Sequence, residues 1–313
     1  MKKLLALAVI AMMLLTFAAC GPQESAPATE APTQAPATEA ATEAPTEAPT
    51  EEPDPITNTD MAEAVLLDNE NCGFTVSLAS ENAHLGMTLE AQCVNKTDRT
   101  LMFTWNTVSV CGYLYDPLWS QEVAPGESVT SVIYIDTWEL EQLGITSVDE
   151  IEFTLYIFDS GDFMAEPYAN DVYTIYPTGL DAASVIYPER VSVDGEQVIT
   201  TDNNVEFIIE GFQESGSTYS LRCYLGNRSD ANLVYAWEDV TVNGSPMDPM
   251  FALELPAGKQ TYGEVSFFLK DLQQLGIEDV EEISFRLNVT DAATGEAVLD
   301  DVFTFRAEDS LVG

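Results

Sequence analysis

Three acidic residues recur at matched positions in this chain and are the first candidates for chemistry. The pairs, each separated by 132 positions, are Asp116 with Asp248, Glu122 with Glu254, and Asp159 with Asp291. Two carboxylates held close together could hydrolyse a glycoside, and a cluster of oxygens could hold calcium. An Asp before proline or after a strand more often closes a turn. We therefore expect structural turns first, with calcium as the alternative and catalysis as the remote one.

Histidine, the commonest general base, is nearly absent. The chain has one, His84, and its loop has no equivalent in the matched region further along. A Ser-His-Asp or Cys-His arrangement would need partners placed around it. The sequence also has no zinc-ligand spacing, phosphate-binding glycine loop or dinucleotide fingerprint. These features favour a non-enzymatic protein without a cofactor.

One aromatic residue changes character between the matched positions. Trp138 corresponds to Lys270, and lysine is rarely buried without a partner, so we expect this position to be at least partly exposed. Trp138 with Tyr113 and Tyr115 could form a stacking surface for a sugar or a protein. The alternative is an ordinary half-buried aromatic residue on a helix.

The matched positions belong to a long internal repeat. Residues 105–117 and 237–249 share one pattern, and the spacing of 132 holds from Asn95 to Asp159 before it slips by two in the last loop. A constant spacing over this length indicates duplication of a whole domain. The sequence predicts two domains, at 61–179 and 184–308, called here the first and second copy.

Alternating apolar and polar residues fill each copy. In the first copy they predict strands over 72–79, 88–94, 101–110, 128–135, 151–157 and 172–176. Trp105, its match Trp237, and Trp119, which matches Phe251, are predicted core residues. Many short strands separated by turn residues predict an all-β fold of two tandem sandwiches.

One short helix is predicted in each copy. In the first, Asp136 is the N-cap, Glu139 completes a capping box and Gly144 ends the helix. In the second, the helix covers about 269–275 and ends at Gly276. Four leucines are expected on the faces that close the sandwich edges: Leu140, Leu143, Leu272 and Leu275.

Turn residues mark the remaining connections. Asn95 and Asn227 begin matched turns, and Asn243-Gly244 is a hairpin signal with Cys111-Gly112 in its place in the first copy. Residues 185–187 and 190–198 predict an extra strand pair in the second copy, joined by a turn at 194–195.

Residues 1–20 have the pattern of a processing segment. Lys2 and Lys3 precede an apolar run over 4–15, which is too short for a comfortable membrane span. The run ends in Ala18, Ala19 and Cys20, which resembles a bacterial lipoprotein signal. The resemblance implies that Cys20 is acylated and becomes the N-terminus of an extracytoplasmic protein anchored to the outer face of the membrane. The alternative is an ordinary secretory signal cut near Ala19.

Residues 21–60 consist of Ala-Pro-Thr-Glu units with almost no aliphatic residues. Such a segment cannot bury enough apolar surface to fold. Its prolines favour an extended polyproline conformation, so we predict a disordered stalk, whose threonines are candidates for glycosylation.

The cysteines do not form a readable disulfide framework. Beyond Cys20 they are Cys72, Cys93, Cys111 and Cys223, and only the last lies in the second copy. Cys93 sits in an alternating run and fits a small buried apolar residue. Bridges of Cys72 with Cys93 or Cys111 remain alternatives to free thiols.

The net charge of −42 limits the partners. It repels nucleic acid and anionic surfaces and favours cations or basic partners, although it also fits a need for solubility alone. Residues 95–98, 101–103, 108–110, 116–117, 143–145 and 151–155 resemble the repeated immunoglobulin-like modules of exported lipoproteins from Gram-positive anaerobes, a family without an established activity. The resemblance implies two tandem immunoglobulin-like sandwiches. We expect a non-catalytic binding or spacing role at the cell envelope, with a protein, a glycan or calcium as the ligand.

Overall fold

The computed structural model describes residues 61, 63–82, 86–249 and 251–307. The predicted signal segment, the predicted stalk, Cys20 and His84 lie outside these residues. All described residues belong to one compact unit that spans 53–313.

The described chain is all-β with two short α-helices. In the first copy the strands are β1 (Ala64–Asp68), β2 (Cys72–Asn82), β3 (Gly86–Asn95), β4 (Leu101–Val110), β5 (Tyr113–Leu114), β6 (Ser120–Val123), β7 (Ser128–Ile135), β8 (Ile151–Asp159) and β9 (Ala169–Ile175), with α1 (Thr137–Gln142) after β7. In the second they are β10 (Gln197–Thr200), β11 (Val205–Ser215), β12 (Thr218–Asn227), β13 (Leu233–Val242), β14 (Ser245–Pro246), β15 (Ala252–Leu255), β16 (Gln260–Phe268), β17 (Glu282–Asp291) and β18 (Ala297–Arg306), with α2 (Leu269–Gln274) after β16. The six strands predicted in the first copy are confirmed.

The strands form three sheets that make two immunoglobulin-like sandwiches. The outer sheets have the orders β1-β2-β3-β7 and β14-β13-β17-β18, with β15 also paired to β13. The middle sheet has the order β10-β11-β12-β16-β5-β4-β8-β9, with β6 paired to β4. One layer of each sandwich therefore belongs to a single nine-stranded sheet, which the sequence did not predict.

Each copy has its own buried cluster. On β8 the odd-numbered residues from 151 to 159 are buried and the even-numbered ones are half-buried, as a two-residue side-chain period requires. Trp105 stacks on Phe153 with ring centroids 3.7 Å apart, and Trp237 stacks on Phe285 at 3.6 Å. The predicted core positions of both tryptophans are confirmed.

The helices end as the repeated Leu-Gly-Ile sequence requires. Gly144 has φ +75°, its N–H bonds to the carbonyl of Glu141, and the Ile145 N–H bonds to the carbonyl of Leu140, both at 3.0 Å. This is a Schellman motif, in which the residue after glycine contacts the last helical turn. Ile277 and Leu272 repeat the bond at 3.0 Å.

Two details of the predicted helices are wrong. Leu275 is 46% exposed, because it lies at the C-cap of α2, where the buried Ile277 turns inward instead. Its match Leu143 is half-buried and packs against the first buried cluster, as predicted. Asp136 caps α1 by accepting from the Trp138 N–H at 2.9 Å. Its own N–H, however, donates to the Tyr115 hydroxyl at 2.7 Å rather than to Glu139, so Tyr115 replaces the predicted capping box.

Among the described residues, no helix combines the length and the apolar character needed to cross a bilayer.

The predicted hairpins have the expected geometry. Asn243 and Gly244 have φ +48° and +80°, and Cys111 and Gly112 have φ +45° and +83°. Consecutive positive values define the tight turn that matches strand twist. Val242 pairs with Ser245 across one turn and Val110 with Tyr113 across the other.

The strand pair predicted for residues 185–198 is wrong. The turn at 194–195 forms, but the residues before it are not in a strand, and β10 begins only at Gln197. The Glu196 carboxylate accepts from the Val193 N–H at 2.9 Å and also binds the Arg190 guanidinium. Arg190 in turn binds Glu210 on β11 at 2.9 Å. These contacts hold the segment as a connection laid on β11 rather than as a hairpin.

Candidate functional site

The repeated carboxylates are engaged in turns. Asp159 accepts from the Gly161 N–H at 2.9 Å, and Asp291 accepts from the N–H groups of Ala293 and Thr294 at 2.9 and 2.8 Å. The hydrogen bond from the Thr294 N–H, together with those from the Thr294 hydroxyl and the Ala293 N–H, holds the pKa of Asp291 below its usual value.

The other candidates are surface residues. Asp116 accepts from the Leu118 N–H at 2.9 Å, whereas Glu122, Asp248 and Glu254 are exposed. In the part of the chain that the structure describes, no group of three or more His, Cys, Asp or Glu side chains is arranged to hold a metal ion. The structure thus places these carboxylates in separate turns and strands.

The three residues proposed as a stacking surface do not share one. Trp138 is 68% exposed, but Tyr113 and Tyr115 are buried. The Tyr115 hydroxyl accepts a hydrogen bond from the Asp136 N–H at the N-cap of α1. Tyr113 stacks on Tyr262 of the second copy, with ring centroids 6.1 Å apart and ring planes 6° apart. Burial raises the pKa of Tyr113 to about 12. Tyr113 is therefore part of an internal contact between the copies.

Both copies have a cleft beside the repeated tryptophan. In the second, a cleft of about 560 Å³ is lined by Trp237, Asp239 and Asp248 among others. In the first, a cleft of about 400 Å³ is lined by the matched residues Trp105, Thr107 and Asp116 among others. The first cleft lies at the bulge of β4, between the segments of β4 that pair with β6 and with β5. The second lies at the bulge of β13, between the segments that pair with β15 and with β14.

The bulges carry matched backbone strain. Thr107 has φ +49° and Asp239 has φ +51°, and a β-branched residue rarely adopts this region. Asp239 is held by Arg286, which also binds Glu238 and Asp300. Those ion pairs occupy two of the carboxylates that line the second cleft, Glu238 and Asp239.

The contact between the copies is built around Gln260. Its N–H donates to the Gly112 carbonyl at 3.0 Å, where β16 pairs in parallel with β5. Its side-chain oxygen accepts from the Tyr224 hydroxyl at 2.7 Å and from Arg228 at 2.9 Å. Together with the stack of Tyr113 on Tyr262, these bonds define what we call the junction.

Ionic and apolar contacts extend the junction. Lys259, only 8% exposed, pairs with Glu152 on β8 at 3.0 Å. Ile208 and Tyr224 of the second copy belong to the first buried cluster, and Leu114 of the first copy packs against the second. Buried bonds of this kind hold two surfaces in one geometry.

The connection between the copies also contacts the first copy. The Tyr187 hydroxyl donates to the buried Glu150 carboxylate at 2.9 Å, and a Cβ at Gly112 would lie 3.1 Å from the Tyr187 ring. Arg190 lies over the Tyr224 ring at 5.0 Å. Burial acts to lower the pKa of Arg190, but the combined bonds to Glu196 and Glu210 outweigh it and raise that pKa.

Sequence reasoning missed the junction, although the repeat contained its signal. Lys259, Gln260 and Tyr262 correspond to Glu127, Ser128 and Thr130, and all three first-copy residues are exposed. The same strand therefore has a solvated outer face in one copy and a covered one in the other. A position-by-position comparison of the copies would have located this difference.

The four described cysteines, Cys72, Cys93, Cys111 and Cys223, are free and buried. Burial raises the pKa of Cys93 to about 12 and raises that of Cys72 and Cys111. Buried thiols with raised pKa values are poor nucleophiles.

Comparisons with known proteins give little beyond this. No model of a known protein family matches the sequence, and neither does any curated protein. Among solved structures, one match is a chain described as Salmonella enterica SafA pilin in complex with the SafB chaperone. It is 13% identical, covers 74% of this chain and 96% of that chain, and superposes with a TM-score of 0.19.

Proposed function

We propose that the protein is a lipoprotein anchored to the outer face of the cell membrane through Cys20, with a non-catalytic spacing and binding role at the cell envelope. The stalk over 21–60 carries the two sandwiches away from the membrane. The junction fixes the sandwiches with respect to each other, so that they act as one extended element.

The junction is the observation that carries the spacing role. A flexible connection would leave Lys259, Gln260 and Tyr262 exposed, as their counterparts in the first copy are. Instead they form a parallel strand pair, an ion pair and a ring stack. The lipid anchor is supported separately, by the sequence that leads to Cys20.

The anchor is tested by growing a Gram-positive host that expresses the full chain with an alkynyl fatty acid. We expect labelled protein in the membrane fraction that is removed by protease added to intact cells. Cys20→Ser should abolish the label and release the protein, whereas Ser25→Ala should change neither. An unlabelled wild-type protein, or a Cys20→Ser variant that keeps the label, would contradict the proposal.

A further inference from the structure

A row of apolar side chains lies on the outer face of β8 and the loop that follows it. Tyr156 and Phe158 are half-buried on β8, and Phe163 and Met164 in the loop are 71% and 84% exposed. The ring centroids of Tyr156 and Phe158 are 5.2 Å apart, and those of Phe158 and Phe163 are 5.4 Å apart. We call these four residues the aromatic row.

The second copy does not have this row. Asn288 and Thr290 occupy the positions of Tyr156 and Phe158. The loop after β8 is two residues longer than its counterpart, since Asp159 and Ala169 correspond to Asp291 and Leu299. The longer loop carries Phe163 and Met164.

The sandwich does not need these side chains to fold. Asn288 sits on β17 with the same strand pairing as Tyr156 on β8, so polar residues are compatible with this position. Phe163 and Met164 are exposed and adjoin two half-buried rings, and a contiguous apolar patch open to water often marks a contact surface. The exposure of the row and its absence from the second copy favour a role in binding over a role in stability.

The geometry of the row suits a glycan. Aromatic rings stack against the C–H faces of sugar rings, and rings with centroids 5.2 and 5.4 Å apart can contact successive sugars in an extended chain. Polar groups flank the row, because Tyr156 pairs with the exposed Asn170 on one side and with Thr104 on the other. The Asn170 amide beside the rings can bond to sugar hydroxyls, whereas the Thr104 hydroxyl already donates to the Tyr156 carbonyl at 3.3 Å.

Charge restricts the type of glycan. Asp162 and Glu166 are exposed in the same loop as Phe163, and Glu122 is exposed on β6, which pairs with β4. These carboxylates repel acidic polymers, and they also repel a second copy of this chain, which carries the same charges. A neutral glycan chain can contact the rings without this electrostatic repulsion.

We propose that the aromatic row is a binding surface for a neutral glycan chain, recognised by stacking on Tyr156, Phe158 and Phe163. The proposal deepens the proposed function, on which its biological setting rests, by giving the binding role a ligand class.

The test measures binding of cellohexaose and chitohexaose to residues 21–313, the predicted mature chain without its acylated Cys20, by titration calorimetry. We expect at least one to bind, and oligogalacturonate, which is acidic, not to bind. The variant Tyr156→Asn/Phe158→Thr carries the second copy's residues and should fold. It should weaken binding about tenfold or more.

Two controls locate the site. Val302, 69% exposed in the second copy, and the exposed Trp138 lie outside the row, so Val302→Thr and Trp138→Ala should leave binding unchanged. Wild-type protein that binds neither neutral hexasaccharide, or a row variant that binds normally, would overturn the proposal. So would sedimentation showing self-association that the row variant abolishes, because the occupant would then be a second copy.

The two proposals can fail separately. An acylated protein that binds no neutral glycan refutes the aromatic row alone. A protein that binds glycan through the row but is not acylated at Cys20 refutes the lipid anchor alone.

Discussion

Removing either of two buried asparagines should cost the same large amount of stability. Asn95 is 1% exposed and Asn227 is fully buried. The Asn95 amide donates to the carbonyls of Arg99, Val123 and Ala124 at 2.7, 2.9 and 3.1 Å. Its oxygen accepts from the N–H and the hydroxyl of Thr97. One side chain therefore ties the turn after β3 to the end of β6.

Asn227 makes the same set of bonds in the second copy. Its amide donates to the carbonyls of Ala231, Leu255 and Pro256 at 2.8, 2.9 and 3.0 Å, and its oxygen accepts from the N–H and hydroxyl of Ser229. Replacement by alanine would leave several buried groups without a partner. At about 1 kcal/mol for each lost bond, and more for each stranded buried group, we expect a loss of roughly 3–4 kcal/mol.

The assay is calorimetric and denaturant unfolding of Asn95→Ala and Asn227→Ala beside wild type. A loss of this size is a large share of the ~5–15 kcal/mol that stabilises a domain. The exposed Asn170→Ala is the control and should stay within about 0.5 kcal/mol. A loss below about 1 kcal/mol in either variant, or clearly unequal losses, would refute the view that one duplicated bond network holds both copies.

Three further outcomes follow. Thr107→Gly should raise the free energy of unfolding by about 1 kcal/mol, because it removes the strain of a β-branched residue at φ +49°; a loss in urea unfolding would contradict this. In a Cys20→Ser background, Ellman's reagent at pH 8 should label no thiol until the protein unfolds, because burial raises the pKa of Cys93 to about 12 and the other thiols are also buried; rapid labelling of native protein would contradict it. Arg190 lowers the pKa of Glu196, so this carboxylate stabilises the fold above its unfolded pKa of about 4.3, and the contribution disappears as the pH falls through the lower folded value. The stability advantage of wild type over Glu196→Gln should therefore be full at pH 7 and shrink as the pH falls below about 4.3, and a difference independent of pH would contradict this assignment.

Features with local causes could be predicted from the sequence. Asn243-Gly244 forms its hairpin because both residues tolerate positive φ, and Gly144 ends α1 for the same reason. The alternating runs became strands because a two-residue period fits only a pleated sheet with one buried face. Such signals need no knowledge of distant residues.

Features that depend on distant partners could not be predicted in this way. Tyr115 displaced Glu139 from the N-cap of α1 because it reaches Asp136 across 21 positions. The pattern over 185–187 and 190–198 predicts a strand pair, but Arg190 pairs with Glu210 on β11 instead. The sequence predicts Tyr113 in a binding surface, but Tyr262, 149 positions later, stacks on its ring and covers it.

The aromatic row could not be predicted from the first copy alone, for a different reason. Tyr156 and Phe158 occupy alternate positions in a strand, where aromatic residues are common whether or not they are exposed. Only the comparison with Asn288 and Thr290 singles them out. Repeats of one chain serve as controls for each other, since a residue needed by the fold alone should recur.

The fixed junction is the central claim, and an inter-spin distance measurement tests it most directly. Spin labels at Thr130→Cys and Val302→Cys, both exposed on strands of different copies, would report the distance in a Cys20→Ser chain. The matched variant Lys259→Glu/Gln260→Ser/Tyr262→Thr carries the first copy's residues on β16, so that the second sandwich should fold without the junction. We predict one narrow distance distribution for the intact junction and a broad one for the variant; a broad distribution in both, or the same narrow one in both, would contradict the account.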